Sequence, residues 1–118
     1  MRHKHGYRKL GREGSHRKAM LRNLATSLVT EGRITTTVEK AKELKRVVEK
    51  LVTTGKSIDK LSSRRAVAEV LFTKLAVKKL CDEISIRMKD RPGGYTRILR
   101  RGIRFGDGAK LATIEFVE

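Results

Sequence analysis

The sequence concentrates positive charge in two short stretches. Residues 1–22 carry a net charge of +7 and residues 86–104 carry +6, out of +16 for all 118 residues. Crowding like charges in this way works against a compact state, because the charges repel one another. Such stretches persist when a polyanion neutralises them, and nucleic acid is the commonest polyanion inside cells. The charge pattern therefore predicts a nucleic-acid-binding chain.

Length and composition predict one small domain with an aliphatic core. A chain of 118 residues with no Trp and 4% aromatic residues can build one such core. The single cysteine, Cys81, cannot form an internal disulfide, which predicts a reducing compartment. No apolar run approaches the roughly 20 residues of a spanning helix, and no signal peptide is recognisable. We therefore expect a cytoplasmic protein with no membrane partner.

Helical periodicity follows a basic N-terminal arm. Residues 1–14 contain three glycines and no period, so we expect an arm there and a single α/β globular domain over 15–118. Helices are predicted at 16–31, 37–54, 58–71 and 74–84. Ser15 is expected to cap the first helix and Thr36 the second, and Thr73 should interrupt the last pattern.

Strand patterns occur on either side of the long helical region. Residues 33–36 predict one short strand, and the segments around Gly106-Asp107-Gly108 predict a hairpin. In the last strand, Ala112, Ile114 and Phe116 should share one face. The order predicts an α+β fold: a small mixed sheet of about three strands, with helices packed on one face and a basic N-terminal arm.

The arm is the first candidate binding site. Its glycines let the backbone follow a phosphate chain, while Tyr7 and the histidines can stack on unpaired bases. The alternative is a flexible solubility tail. The candidate residues of the arm and of the helix after it are Arg2, His3, Lys4, His5, Tyr7, Arg8, Lys9, Arg12, His16, Arg17 and Arg22.

The second candidate site surrounds the turn at 89–94, KDRPGG. Its cations are mostly Arg, which suits bidentate contacts to phosphate. The paired glycines could admit a phosphate to the main chain, with Tyr95 placed to stack on a base; alternatively, the glycines only form the turn. The candidate residues are Arg91, Gly93, Gly94, Tyr95, Arg97, Arg100, Arg101 and Arg104.

Enzyme and metal chemistry find no support in the sequence. There is no Walker loop, no carboxylate pair in an apolar setting, and no Cys or Ser near a base. His3 and His5 have no cysteine nearby, which argues against a zinc site. We expect no catalytic residue, no cofactor and no small-molecule substrate. Cations spread over arm, turn and strand suit folded RNA better than a regular duplex groove.

Four ordered blocks carry a family resemblance over the whole chain. They are MRH at 1–3 with KL at 9–10, HR at 16–17 and LRNL at 21–24; ITTT at 34–37; KAKEL at 40–44; and Arg91 and GGYTRI at 93–98 with Gly106-Asp107, Ala112 and Ile114-Glu115. In this pattern the chain resembles the bacterial large-subunit ribosomal protein seventeen family. Phe105 departs from it, since a basic residue is expected there.

The resemblance implies a structural constituent of the large ribosomal subunit without catalysis. It implies binding and stabilisation of large-subunit rRNA through the basic arm and the Arg-rich Gly-Gly-Tyr turn and strand, near the peptide-exit side. The implied partners are that rRNA and neighbouring large-subunit ribosomal proteins, in the cytoplasm. A free-standing RNA chaperone or a nucleoid-type DNA protein is the alternative within binding proteins. An RNA-acting enzyme would need a pocket with a perturbed acid or base.

Overall fold

The computed structural model describes residues 14–57 and 60–117. Its elements in chain order are α1 (Gly14–Glu31), β1 (Arg33–Thr37), α2 (Val38–Gly55), α3 (Lys60–Ala68), α4 (Lys74–Lys79), α5 (Ser85–Arg87), β2 (Thr96–Ile103) and β3 (Lys110–Phe116). A π-helical turn, Leu80–Ile84, joins α4 to α5. The predicted α+β fold is confirmed. Residues 1–13 of the predicted arm lie outside the described residues, and Gly14 begins α1.

Two helix caps differ in position from the prediction. The cap of α2 is Thr37, whose hydroxyl accepts a hydrogen bond from the Lys40 backbone N–H at 3.4 Å. Thr36 was predicted for this role, but it lies within β1 because the strand continues to pair with β3 as far as Thr37. Ser15 lies inside α1 and does not cap it.

The predicted break at Thr73 is confirmed. The Thr73 hydroxyl accepts a hydrogen bond from the Ala76 backbone N–H at 3.1 Å and caps α4. On the N-terminal side of the break, α3 ends at Ala68, earlier than predicted, and turns follow it. On the other side, the helical backbone continues beyond residue 84, because the Ser85 N–H bonds to the Leu80 carbonyl across the π-helical turn.

The three strands form a sheet in the order β1-β3-β2. Both pairings are antiparallel, so the sheet is not the mixed one that was predicted. The reason is that β1 pairs with the edge of β3 that β2 leaves free. Like β2, it runs opposite to β3. Ile34, Ile114 and Ile98 form a cross-strand row, and a bulge lies between Arg100 and Gly102.

One face of this sheet forms the core with the helices. The buried residues of α2 are Val38, Ala41, Glu43, Leu44, Val48, Leu51 and Val52. Ala112, Ile114 and Phe116 of β3 are buried with them, which confirms that they share a face. Glu49 of α2 also fixes the start of β2, since its carboxylate accepts hydrogen bonds from the Thr96 N–H at 3.1 Å and hydroxyl at 3.0 Å.

Candidate nucleic-acid interface

The sheet face opposite the core presents arginine and threonine to solvent. Side chains alternate between the two faces of a strand. The neighbours of Ile34, Ile98 and Ile114, which pack on the core side, therefore point the other way. Arg33, Thr35, Arg97 and Leu99 on this face are exposed. We call this surface the outer face, and its remaining members are Thr37, Arg101, Leu111, Thr113 and Glu115.

A row of charged residues crosses the outer face. Arg33 and Arg97 lie on either side of Glu115 in the strand register. The Arg97 Nε donates to Glu115 Oε1 at 3.1 Å, and this carboxylate is only 16% exposed. One carboxylate between two arginines orients the guanidinium group of Arg97 and leaves the row with excess positive charge.

A third arginine, Arg101, lies on the outer face. Its Nε donates to the Thr113 hydroxyl of the neighbouring strand at 2.9 Å. The Thr113 and Thr35 hydroxyl oxygens lie 3.0 Å apart and share a hydrogen bond. These contacts hold Arg101 against the sheet while it remains an exposed residue. A polyanion on this face would therefore meet three arginines and one carboxylate.

Arg104 lies at the end of the hairpin and is already paired. Its Nε and a terminal guanidinium nitrogen donate to the two carboxylate oxygens of Asp107, at 3.1 and 2.6 Å. Asp107 also accepts from the Ala109 backbone N–H at 3.1 Å. The Arg104 hydrogen bonds, followed by that of Ala109, lower the pKa of Asp107 from 3.8 to about 2. Arg104 therefore supports the turn, and its charge is largely matched within it.

Tyr95 does not occupy the exposed position that was expected of it. Its side chain is buried, at 2% exposure, and its hydroxyl accepts hydrogen bonds from Thr53 at 3.4 Å and Lys56 at 3.0 Å. These two hydrogen bonds lower the pKa of Tyr95. A base could stack on the ring only if the ring left the core. Tyr95 therefore contributes to the core, and its expected stacking role stays a prediction that this burial does not favour.

The Pro-Gly-Gly turn before Tyr95 is tied to the end of α2. The Lys56 ammonium donates to the Arg91 carbonyl at 2.7 Å and also lies 5.0 Å from the centre of the Tyr95 ring. Gly94 has φ of +63°, which an L-residue adopts only with strain, while a Cβ at Gly93 or Gly94 would meet no atom within 4 Å. The turn requires Gly94, and the space above both glycines is open. Arg91 and Arg100 are exposed on the two sides of this segment.

The candidates on α1 divide into exposed and structural residues. His16 is exposed and Arg17 is half-buried. Arg22 holds α1 to the connection between α3 and α4: its Nε donates to the Val70 carbonyl at 3.0 Å, and its guanidinium carbon lies 4.2 Å from the centre of the Phe72 ring. The candidates Arg2, His3, Lys4, His5, Tyr7, Arg8, Lys9 and Arg12 lie outside the described residues.

Sequence reasoning missed Arg33 as a member of this interface. Arg33 is far from the 86–104 stretch in the chain, and only the pairing of β1 with β3 brings it to the same row as Arg97. Its alternation with Ile34 was the one available signal, because it places Arg33 on the face opposite the core. Lys56 was also missed, since its role depends on contacts with a segment 35 residues away.

The described residues offer little to metal or nucleophilic chemistry. Residues 14–57 and 60–117 contain no group of His, Cys, Asp and Glu able to hold a metal ion. Burial is the main cause that raises the pKa of the Cys81 thiol, so the thiolate is disfavoured. In the same part of the chain, each helix is too short or too polar to cross a membrane.

Comparison with known proteins identifies the family. The family model described as "Ribosomal protein L17" matches residues 20–117. The chain belongs to the ribosomal protein L17 family. Relatives named "Large ribosomal subunit protein bL17" include those of Campylobacter jejuni strain 81-176, 55% identical over 99% of both chains, and Sulfurimonas denitrificans, 54% identical over 99% of this chain and all of the relative. That of Desulforudis audaxviator is 53% identical over 95% of this chain and 99% of its own. The family resemblance is confirmed, and these names describe proteins of the large ribosomal subunit.

Proposed function

We propose that this L17 family member is a structural constituent of the large ribosomal subunit that binds and stabilises the rRNA of that subunit. The outer face carries this proposal, because three arginines project there from a rigid sheet beside a single carboxylate. Arginine contacts phosphate in a bidentate manner, and a rigid support lowers the entropy lost on binding. Its partners would be that rRNA and neighbouring ribosomal proteins, in the ribosome of the bacterial cytoplasm.

The proposal assigns the RNA contacts to two parts of the chain. The first is the basic arm with its continuation at His16 and Arg17, whose basic side chains would contact phosphate. The second is the segment 91–104 together with Arg33, in which Arg97 and Arg101 are held on the outer face. A position near the peptide-exit side of the subunit is part of the proposal, and the family resemblance is its support.

A charge-matched pair of variants tests the outer face. The first combines Arg33→Gln, Arg97→Gln and Arg101→Gln; the control combines Lys42→Gln, Lys50→Gln and Lys78→Gln, which are exposed helix residues and remove the same charge. Affinity for a large-subunit rRNA transcript is measured at several salt concentrations. In the outer-face variant, the slope of log affinity against log salt should become shallower by about two to three, at roughly 0.7–0.9 for each of the three lost phosphate contacts. Equal losses in the two variants would contradict a localised interface.

The arm is tested by deleting residues 1–13 from the full chain. Incorporation into large subunits should fall, and sedimentation of cell lysates at low and high salt should show the variant leaving the subunit at lower salt than the intact chain. Unchanged incorporation would remove the arm from the proposal. Equal affinity of the intact chain for duplex DNA and rRNA at matched salt would favour the nucleoid-protein alternative.

A further inference from the structure

The tip of the β2–β3 hairpin exposes a phenyl ring. Phe105 is fully accessible to solvent, which is unusual for an aromatic side chain. The ring makes no contribution to the core, so the stability of the fold does not explain a phenylalanine at this position. The family resemblance predicted a basic residue at this position, so the ring is a departure from the expected pattern.

The backbone beneath this ring is well ordered by hydrogen bonds. The Arg104 N–H donates to the Ala109 carbonyl at 2.8 Å, and the Gly108 N–H donates to the Arg104 carbonyl at 3.1 Å. The paired side chains of Arg104 and Asp107 close the same turn. These hydrogen bonds therefore fix the backbone of the turn from which the Phe105 ring projects.

The surroundings of the ring are open and cationic. A Cβ built at Gly102, Gly106 or Gly108 would meet no atom within 4 Å, so the space around these glycines is free. Residues 97–110 contain five Lys or Arg and one Asp, a net charge of +4. An exposed aromatic ring beside several cations suits binding to a polyanion. Every base has a face on which an aromatic ring can stack, and the cations attract the phosphates beside it. An apolar pocket on a protein would bind the ring but would not interact favourably with these cations.

We propose that Phe105 stacks on an unpaired base of the bound RNA, the role that sequence reasoning had given to Tyr95. This inference rests on the proposed function and names the contact made by the hairpin. The arginines of the outer face would hold the phosphate chain, while the ring enters between bases that are not paired. Phe105→Ala should leave the fold unchanged, since the ring packs against nothing.

Affinity for a large-subunit rRNA transcript provides the first test. Phe105→Ala should weaken binding by about 5- to 140-fold, the equivalent of ~1–3 kcal/mol per stacked base. Phe105→Tyr should retain most of the affinity, and Leu75→Ala, which removes an exposed apolar side chain from α4, should change little. Equal binding by the Ala variant and the intact chain would overturn the inference and leave the proposed function standing. Failure of the intact chain itself to bind rRNA would overturn both.

Fluorescence provides a readout of stacking itself. The chain contains no Trp, so Phe105→Trp creates a single reporter, with Leu75→Trp as the control. The transcript should quench the emission at position 105 and leave that at position 75 nearly unchanged. Binding without quenching at position 105 would overturn the inference. In assembled subunits, a benzoylphenylalanine in place of Phe105 should crosslink to rRNA; crosslinking to a protein would assign the ring to a protein pocket and overturn it as well.

Discussion

Two adjacent glycines before Tyr95 differ in what their backbone requires. Gly94 has φ of +63°, whereas Gly93 does not lie in the left-handed region, and both have open space where a Cβ would lie. Gly94→Ala should therefore lower the free energy of unfolding by about 1 kcal/mol through backbone strain alone. Gly93→Ala is the matched control and should change it by less than about 0.5 kcal/mol. Urea unfolding of the two variants measures the difference, and equal stabilities would show that the turn adopts another conformation.

The hairpin turn depends on one ionised carboxyl group. The pKa of Asp107 in the folded chain is about 2, below its ordinary value of 3.8, so its stabilising effect is complete above about pH 5. The effect is lost as the pH falls from about 5 through 2, because protonation removes the acceptor for Arg104. NMR titration of the Asp107 carboxyl should give this low pKa in the intact chain and a clearly higher one in Arg104→Met. Arg100→Met should leave the pKa of Asp107 unchanged. If Arg100→Met raises this pKa as much as Arg104→Met does, the low pKa results from the overall positive charge of the chain and not from the Arg104 hydrogen bonds.

At the scale of secondary-structure elements, α2 and α5 pack closely at a single glycine. A Cβ at Gly55 would collide with the hydroxyl of Ser85, which is buried and donates to the Val52 carbonyl at 3.5 Å. Gly55→Ala should therefore destabilise the fold by about 1–3 kcal/mol through overpacking, reduced by the higher helix propensity of Ala.

The variant Ser85→Ala makes this packing argument testable. Ser85→Ala removes the colliding oxygen, so the double variant should be more stable than Gly55→Ala alone, and a double-mutant cycle should give a clearly favourable coupling. Thermal or urea unfolding of the four proteins measures it. If the changes in the free energy of unfolding of the two single variants simply added in the double variant, the two helices would have moved apart. The added Cβ and the Ser85 hydroxyl would then not be in contact.

At the scale of the whole molecule, the net charge of +16 acts on stability. Uncompensated cations repel one another over about 30 Å at 0.01 M salt but only about 8 Å at 0.15 M. The Tm of the free protein should therefore rise by several degrees between these NaCl concentrations. The charge-reduced variant with Lys42→Gln, Lys50→Gln and Lys78→Gln should start from a higher Tm and rise less. A Tm that is independent of salt would contradict this account.

Patterns of nearby residues predicted much of the fold correctly. The break at Thr73, the hairpin around Asp107 and the shared face of Ala112, Ile114 and Phe116 were all confirmed. Each depends on residues a few positions apart, through cap hydrogen bonds, turn geometry or strand alternation. The α2 cap was predicted one residue early, since the length of β1 depends on pairing with a distant strand.

The candidate site depended on contacts that residues close in the chain do not specify. Clustered charge was enough to indicate a nucleic-acid partner, because charge is a property of the residues themselves. Whether a side chain in such a cluster faces solvent depends on long-range packing: Tyr95 is buried against α2, and Arg33 joins Arg97 only through the register of β3. Burial and register are properties of several segments at once, so they emerge only when the chain is folded.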